Sequence, residues 1–278
     1  MTVAKVEFNK KSLNFKNLIK QIPIISDLFR YYWSFYRTTT ACRGVYASFD
    51  DALKTTPKGA KSGYNQPEIS KNLTKAAKMT TAWEPGQFNP QDYPILVWLA
   101  SAFTQSSTVF DLGGNVGHGY YTYKKFVQYP MGLNWLVCEI PEVVKVGREL
   151  ASQGHNPGLS FTTEFAHAEN TEILITCGTL QYIEPSLADM IGELQTKPRH
   201  ILINQVPFYD GENFITLQNI GYAFCPYKIQ NRSEFVESLS ALGYELIDNW
   251  KLERSCSIPF HPERFVRNYE GFYFKLKG

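Results

Sequence analysis

A chain of 278 residues with 44% apolar content is long enough to bury a sizeable core, as one large domain or as a domain with a helical extension. A net charge of +2 excludes a global electrostatic footprint for nucleic acid, although residues 1–43 hold eight Lys/Arg against two Asp/Glu, and the remainder twenty against twenty-four. Five scattered cysteines without a C-x-x-C pair argue against a disulfide framework or a zinc site and fit a reducing cytoplasm. The N-terminus is expected to carry no secretory leader, and no apolar run approaches the ~20 residues that cross a bilayer.

In chain order, residues 12–37 show helical spacing: Leu18, Ile22, Ile25, Leu28, Tyr32, Trp33 and Tyr36 recur at steps of three and four, with a break or kink expected at Pro23. Lys16, Lys20, Arg30 and Arg37 make the other side basic, so the helix is expected to pack on its own domain, on a second copy of the chain, or peripherally on the inner face of a membrane. Residues 43–80 read as a turn, a short helix near 49–54 and a mobile segment through 55–66. From residue 90 the pattern becomes regular. A helix begins at Pro94, and strands are predicted at 108–112, 134–140, 159–164, 172–177 and 199–206. Helices are predicted from Pro141, over 186–194, and from Asn231 to a stop at Gly243. Strands at 244–252 and 271–277 have no helix between them, only a long loop over 253–269. This alternation predicts an α/β fold with a mostly parallel sheet and an antiparallel closing strand. The expected division is an extension over 1–42, a cap or linker with a helix over 43–105, and a main domain over 106–278.

The densest chemistry lies in VFDLGGNVGHGY, residues 109–120. Asp111 ends an apolar run, and Gly113, Gly114 and Gly117 follow it. No register gives the G-x-G-x-x-G spacing that seats a pyrophosphate on a helix N-terminus. A D-x-G-G-x-x-G turn suits a ligand with an amino-acid end instead. Asp111 can face an ammonium, directly or through water; Gly113, Gly114 and Gly117 allow close backbone approach; and the following helix N-terminus suits a carboxylate. Asn115 tolerates a left-handed backbone. Glu139, at the end of the next apolar run, can accept from both hydroxyls of a ribose, and Ile140 can face an adenine ring.

With these residues in view, the chain resembles the class I S-adenosylmethionine (SAM)-dependent methyltransferases: residues 111–117 are similar to their first motif and Glu139 to their second. Gly44-Val45-Tyr46, the DLGGNVG loop, Gly178-Thr179-Leu180-Gln181-Tyr182 and Gly243-Tyr244 are most similar to methyltransferases encoded among bacterial surface-polysaccharide genes. The resemblance covers residues 43–278. It implies a Rossmann-like seven-stranded sheet of order 3-2-1-4-5-7-6, SAM as cofactor, and a small-molecule or sugar-like acceptor methylated on oxygen.

In such a fold ligands sit at the carboxyl ends of the parallel strands. Asp111, Gly113, Gly114, Asn115, Gly117, Glu139, Ile140, Cys177 and Gly178 are therefore the expected cofactor residues. The loops at 177–185, 204–214 and 253–269 are expected to meet the acceptor. An oxygen nucleophile needs a base; His261 and His118 are the candidates, with Asp210 behind them, and Gln181 and Tyr182 could orient the acceptor. Tyr46, Trp83, Tyr182, Phe208 and Tyr209 could form an aromatic wall. His155, His167 and His200 read as surface or strand-flank residues, and no cluster has metal-ligand spacing. Two other readings carry the same motif: a catalytically silent SAM-binding scaffold, and a nicotinamide-dependent sugar oxidoreductase.

Overall fold

The structure, a computed structural model, describes residues 23–66, 68, 89–154, 156 and 158–278. Its elements begin with α1 (Pro23–Phe29), a π-helical turn (Arg30–Ser34), α2 (Phe35–Arg37), β1 (Cys42–Tyr46) and α3 (Phe49–Lys54). Next come α4 (Tyr93–Ala102), β2 (Thr108–Leu112), α5 (His118–Tyr123), β3 (Asn134–Cys138), α6 (Pro141–Gln153), β4 (Leu159–Thr162) and β5 (Ile173–Cys177). The chain continues through α7 (Leu187–Gly192), β6 (His200–Tyr209), β7 (Phe214–Asn219), β8 (Phe224–Asn231), α8 (Arg232–Ala241) and β9 (Tyr244–Leu252). A hairpin of β10 (Cys256–Ile258) and β11 (His261–Val266) then precedes β12 (Tyr269–Leu276).

The central strands are short apolar runs because both faces of the sheet are covered. Successive residues alternate between two cores. Val109, Ile173, Ile175 and Leu202 face α4, α5 and α6, whereas Phe110, Leu174, Ile201 and Ile203 face α7 and α8. β4, β3, β2, β5 and β6 are neighbours in that order and parallel, and β12 lies antiparallel between β6 and β9.

The sheet is larger than the expected seven strands, and its order is not a single line. Ten strands take part, because β6 runs on to Phe208–Tyr209 and there pairs in parallel with Gln230–Asn231 of β8. β8 continues antiparallel to β7, and β7 to β1. Residues 204–214, expected as a loop, are therefore mostly strand. The expected loop over 253–269 holds the β10–β11 hairpin.

The N-terminal side is also more integrated than expected. The boundary placed between residues 42 and 43 falls inside β1, and Phe35 is fully buried against Phe224. The helical reading of 12–37 holds from Pro23 to Arg37, interrupted by the π turn; Lys16, Leu18, Lys20 and Ile22 lie outside the described residues. Arg30 donates to the Ser257 carbonyl and hydroxyl, and the Phe260 backbone N–H donates to Asp27 at 3.0 Å, fastening this helix to the hairpin. Ile24, Tyr32 and Trp33 remain more than half exposed.

Candidate functional site

The loop after β2 is built by its glycines. Gly113 has φ +75°, and a Cβ there would meet the Thr179 side chain at 2.0 Å. A Cβ on Gly114 would strike the Asp111 carboxylate at 2.3 Å. The acid and the glycine turn are thus one packed unit. Asn115, at φ +55°, adopts the left-handed backbone its side chain tolerates. Asp111 is buried, and its Oδ2 accepts from the Trp135 indole at 3.0 Å. Burial pushes its carboxyl up to about 7, with the indole opposing and the Glu139 charge adding to the rise.

Glu139 follows β3 directly. Its Oε1 accepts from the Asn115 backbone N–H and its Oε2 from the Ile140 backbone N–H, each at 3.1 Å. These bonds orient the carboxylate and leave further lone pairs on both oxygens. Burial raises its pKa, against the two backbone donors.

A cleft of about 640 Å³ opens at the carboxyl ends of the parallel strands, within the ~300–1,000 Å³ of small-molecule sites. Asp111, Gly113, Gly114, Asn115, Glu139, Ile140, Cys177 and Gly178 line it, as do His118 and Tyr182. Gly117 does not; at φ +90° it sits before α5 instead. α5 is only six residues long.

Several expected acceptor residues lie elsewhere. His261 is on the β10–β11 hairpin, away from the cleft, with its Nδ1 3.2 Å from Glu263. Gln181 turns inward and is 2% exposed. Asp210 is exposed and outside the cleft. Of the five aromatics, Tyr182 alone lines it among the described residues; Phe208 packs between Phe235 and Phe272, Tyr209 donates to the Glu263 carbonyl, and Trp83 lies outside the described residues. His200 stands at the start of β6 and is buried rather than at the surface, hydrogen-bonded to the Tyr273 hydroxyl at 2.8 Å. His155 lies outside the described residues. Burial, with the Lys125 charge, lowers the His118 pKa, which favours its neutral form.

Asp92 is the acid that sequence reasoning missed. It precedes α4 and reads as an ordinary helix N-cap, but its side chain makes no cap hydrogen bond. Its Oδ1 accepts instead from Asn204 Nδ2 at 2.9 Å and Gln205 Nε2 at 3.3 Å. Among the described residues its Oδ2 receives no hydrogen bond. Asn204 is held in turn by the Trp250 indole at 2.9 Å. Gln205 has φ +60°, at a register shift between β6 and β12. This is a β-bulge, and it re-aims the Gln205 side chain at the cleft. No local pattern in the sequence announces a bulge inside an apolar strand. Burial raises the Asp92 pKa, against both amide donors.

Three carboxylates therefore line the cleft, and among the described residues no Lys or Arg does. This lining attracts a cationic ligand and repels a pyrophosphate. Tyr64, Phe165, Ile140 and Tyr182 add apolar walls, the Tyr64 and Tyr182 rings lying 5.5 Å apart. Among the described residues no group of three acidic, His or Cys side chains could hold a metal ion.

No protein-family model matches the chain, and no curated protein sequence matches it. Among solved structures it is similar to a 1,6-didemethyltoxoflavin-N1-methyltransferase from Burkholderia thailandensis, solved with 1,6-didemethyltoxoflavin and S-adenosylhomocysteine (SAH) bound. The identity is 14% over 77% of this chain and 92% of that one, with a TM-score of 0.47. It is also similar to the CcbJ methyltransferase from Streptomyces caelestis, at 12% identity over 73% of this chain and 96% of that one, with a TM-score of 0.45. A third is magnesium protoporphyrin IX methyltransferase from Synechocystis PCC 6803, solved with SAM bound, at 11% identity over 77% of this chain and 87% of that one, TM-score 0.45. The likeness is one of outline, and the chemistry of the cleft rests on this chain's own residues.

Proposed function

We propose that this chain is a SAM-dependent methyltransferase acting on a hydroxyl of a small-molecule or sugar-like acceptor. The observation that carries the reading is the cleft beside the glycine turn, lined by three acids and, among the described residues, by no Lys or Arg. It suits a ligand bearing a sulfonium and an ammonium, and it counts against the nicotinamide alternative, whose pyrophosphate would meet three carboxylates. When bound, SAM supplies an electrophilic methyl group on a good leaving group.

The chain's own residues supply holding and alignment. Glu139 accepts from the two ribose hydroxyls through the lone pairs its backbone donors leave free. Ile140 and Phe165 offer apolar faces to a planar base. Gly113 and Gly114 admit the amino-acid end, with the Asp111 charge beneath them. Asp92 replaces His261 as the group that takes the acceptor's proton. It is a buried carboxylate with a raised pKa, pinned through one oxygen. The resemblance to polysaccharide-associated enzymes supports a bacterial glycan precursor in the cytoplasm as the setting.

Differential scanning fluorimetry tests the cofactor. SAM and SAH at about 100 times their Kd should stabilise the protein by about 2.7 kcal/mol, and NAD should leave it unchanged. Stabilisation by NAD alone sinks the proposal. Methyl-labelled SAM incubated with extracted glycans and metabolites tests turnover; tight SAH binding with no label transferred would favour the silent scaffold. With an acceptor in hand, Asp92→Asn should lower kcat by about 10²–10⁴-fold and abolish its acid limb, leaving SAH affinity unchanged. A wild-type pH profile in that variant would remove Asp92 from the role of base.

The exposed Ile24, Tyr32 and Trp33 support a peripheral contact with a membrane or a second copy. Phe35 is core, so the test is Tyr32→Glu/Trp33→Glu rather than removal of residues 1–42. Equal pelleting with anionic vesicles, and an equal oligomeric state, would discard the contact.

A further inference from the structure

Two thiols meet outside the cleft. Cys42 opens β1 and Cys256 opens β10, and their Sγ atoms lie 3.6 Å apart, hydrogen-bonded and buried. A disulfide needs about 2.05 Å, so closure asks for about 1.5 Å of sulfur movement. Among the described residues no hydrogen bond joins Cys138, Cys177 or Cys225 to a second thiol. A recess of about 200 Å³ is lined by both cysteines, and Arg30, Arg254, Ser257 and Tyr269 share its lining. Arg30 has Asp27 as an ion-pair partner at 3.5 Å. Arg254 lies over the Tyr269 ring at 4.7 Å and has no carboxylate partner among the described residues.

We propose that Cys42 and Cys256 form a redox-active dithiol, which a hydroperoxide entering this recess oxidises to a disulfide. The thiolate is the attacking form. The hydrogen-bonding contact with Cys42 is the largest cause lowering the Cys256 pKa; burial opposes it, and the charges of Arg254 and Arg30 add to the lowering. The same contact and burial push Cys42 up, so Cys42 keeps its proton. Cys256 Sγ⁻ attacks one peroxide oxygen, the O–O bond breaks, and the leaving hydroxide takes up the proton that Cys256 released on ionising and departs as water. Cys42 Sγ then displaces the hydroxyl from the Cys256 sulfenic acid, and its own proton leaves with that hydroxyl as water. The sulfur pair loses two electrons and the peroxide gains them.

The dithiol is wired to the cleft. Gln218 Nε2 donates to Cys42 Sγ at 3.6 Å, and Gln218 Oε1 accepts from the Tyr182 hydroxyl at 2.6 Å. Drawing Cys42 towards Cys256 pulls on the first of these bonds, two steps from a side chain of the cleft wall.

The test uses the folded, full-length wild-type chain. It is treated with hydrogen peroxide, denatured in iodoacetamide, digested without reductant and read by peptide mass spectrometry. The expected result is a Cys42–Cys256 linked peptide that dithiothreitol resolves, with Cys138, Cys177 and Cys225 recovered alkylated. Cys42→Ser should leave a Cys256 sulfenic acid that dimedone traps, and Cys256→Ser should leave Cys42 a thiol. Recovery of both wild-type cysteines as free thiols, or their linkage to other cysteines, overturns the proposal. That wild-type result stands even if either variant fails to fold.

Discussion

Glu139→Ala is expected to weaken SAH binding by at least about tenfold, because it removes two hydrogen bonds to a charged acceptor worth ~1.5–3 kcal/mol each. A tenfold loss needs only about 1.4 kcal/mol, so the expectation holds even if one bond is partly replaced by water. The variant also strips the Asn115 and Ile140 backbone N–H groups of their partner, so some loss could come from a loosened loop. Glu139→Gln separates the two effects. It keeps the shape and one acceptor, and it should bind SAH with intermediate affinity at a melting temperature near wild type. Isothermal titration calorimetry with SAH and 5′-methylthioadenosine reads the outcome. Both ligands carry the ribose, so both should weaken together. Unchanged affinity for either would mean that a different acid meets the ribose.

Asp111→Asn is expected to do the reverse to the free protein. The Asp111 carboxyl stands at about 7 because it is buried, against an ordinary value of 3.8. A group raised in the folded state contributes stability that is complete below its unfolded pKa and lost as pH rises through the folded one. Here the loss accumulates between about pH 4 and pH 7 and reaches roughly 4 kcal/mol at most. The amide carries no charge and still accepts from Trp135. The variant should therefore melt higher than wild type at pH 8 and similarly at pH 4. Ligand binding carries the opposite sign. A cationic ligand lowers the Asp111 pKa, so wild-type affinity for SAM should climb with pH up to about 7 and then level off. The variant should bind more weakly at pH 8 and lose that slope. Parallel melting profiles for the two proteins would show that no buried charge is held beneath the glycine turn.

The glycine loop and Glu139 were legible because their signals are local. A turn needing positive φ at Gly113, an apolar strand before it and an acid at the next strand end all fall within about thirty residues. The parallel strands were legible for a similar reason, since burial on both faces makes each a continuous apolar run. The helix from Pro141 and the short one at Phe49–Lys54 announce themselves by a first-turn proline and a Ser48 cap.

Other features depend on partners far away in the chain. Asp92 reads as a cap, and only Asn204 and the bulged Gln205, 112 and 113 residues later, turn it towards the cleft. His261 lies in a suitable loop by sequence order, yet hairpin pairing carries it away from the cleft. The three added strands join one after another, β8 on β6, β7 on β8 and β1 on β7, through pairings between segments that no local pattern relates. Residue order along the chain determines which local conformations are cheap: where a glycine must stand, where an apolar run will bury, where an acid ends a strand. Which acids share a cleft, which thiols touch and where the sheet stops are decided by long-range packing, because those contacts join segments that sequence spacing does not relate.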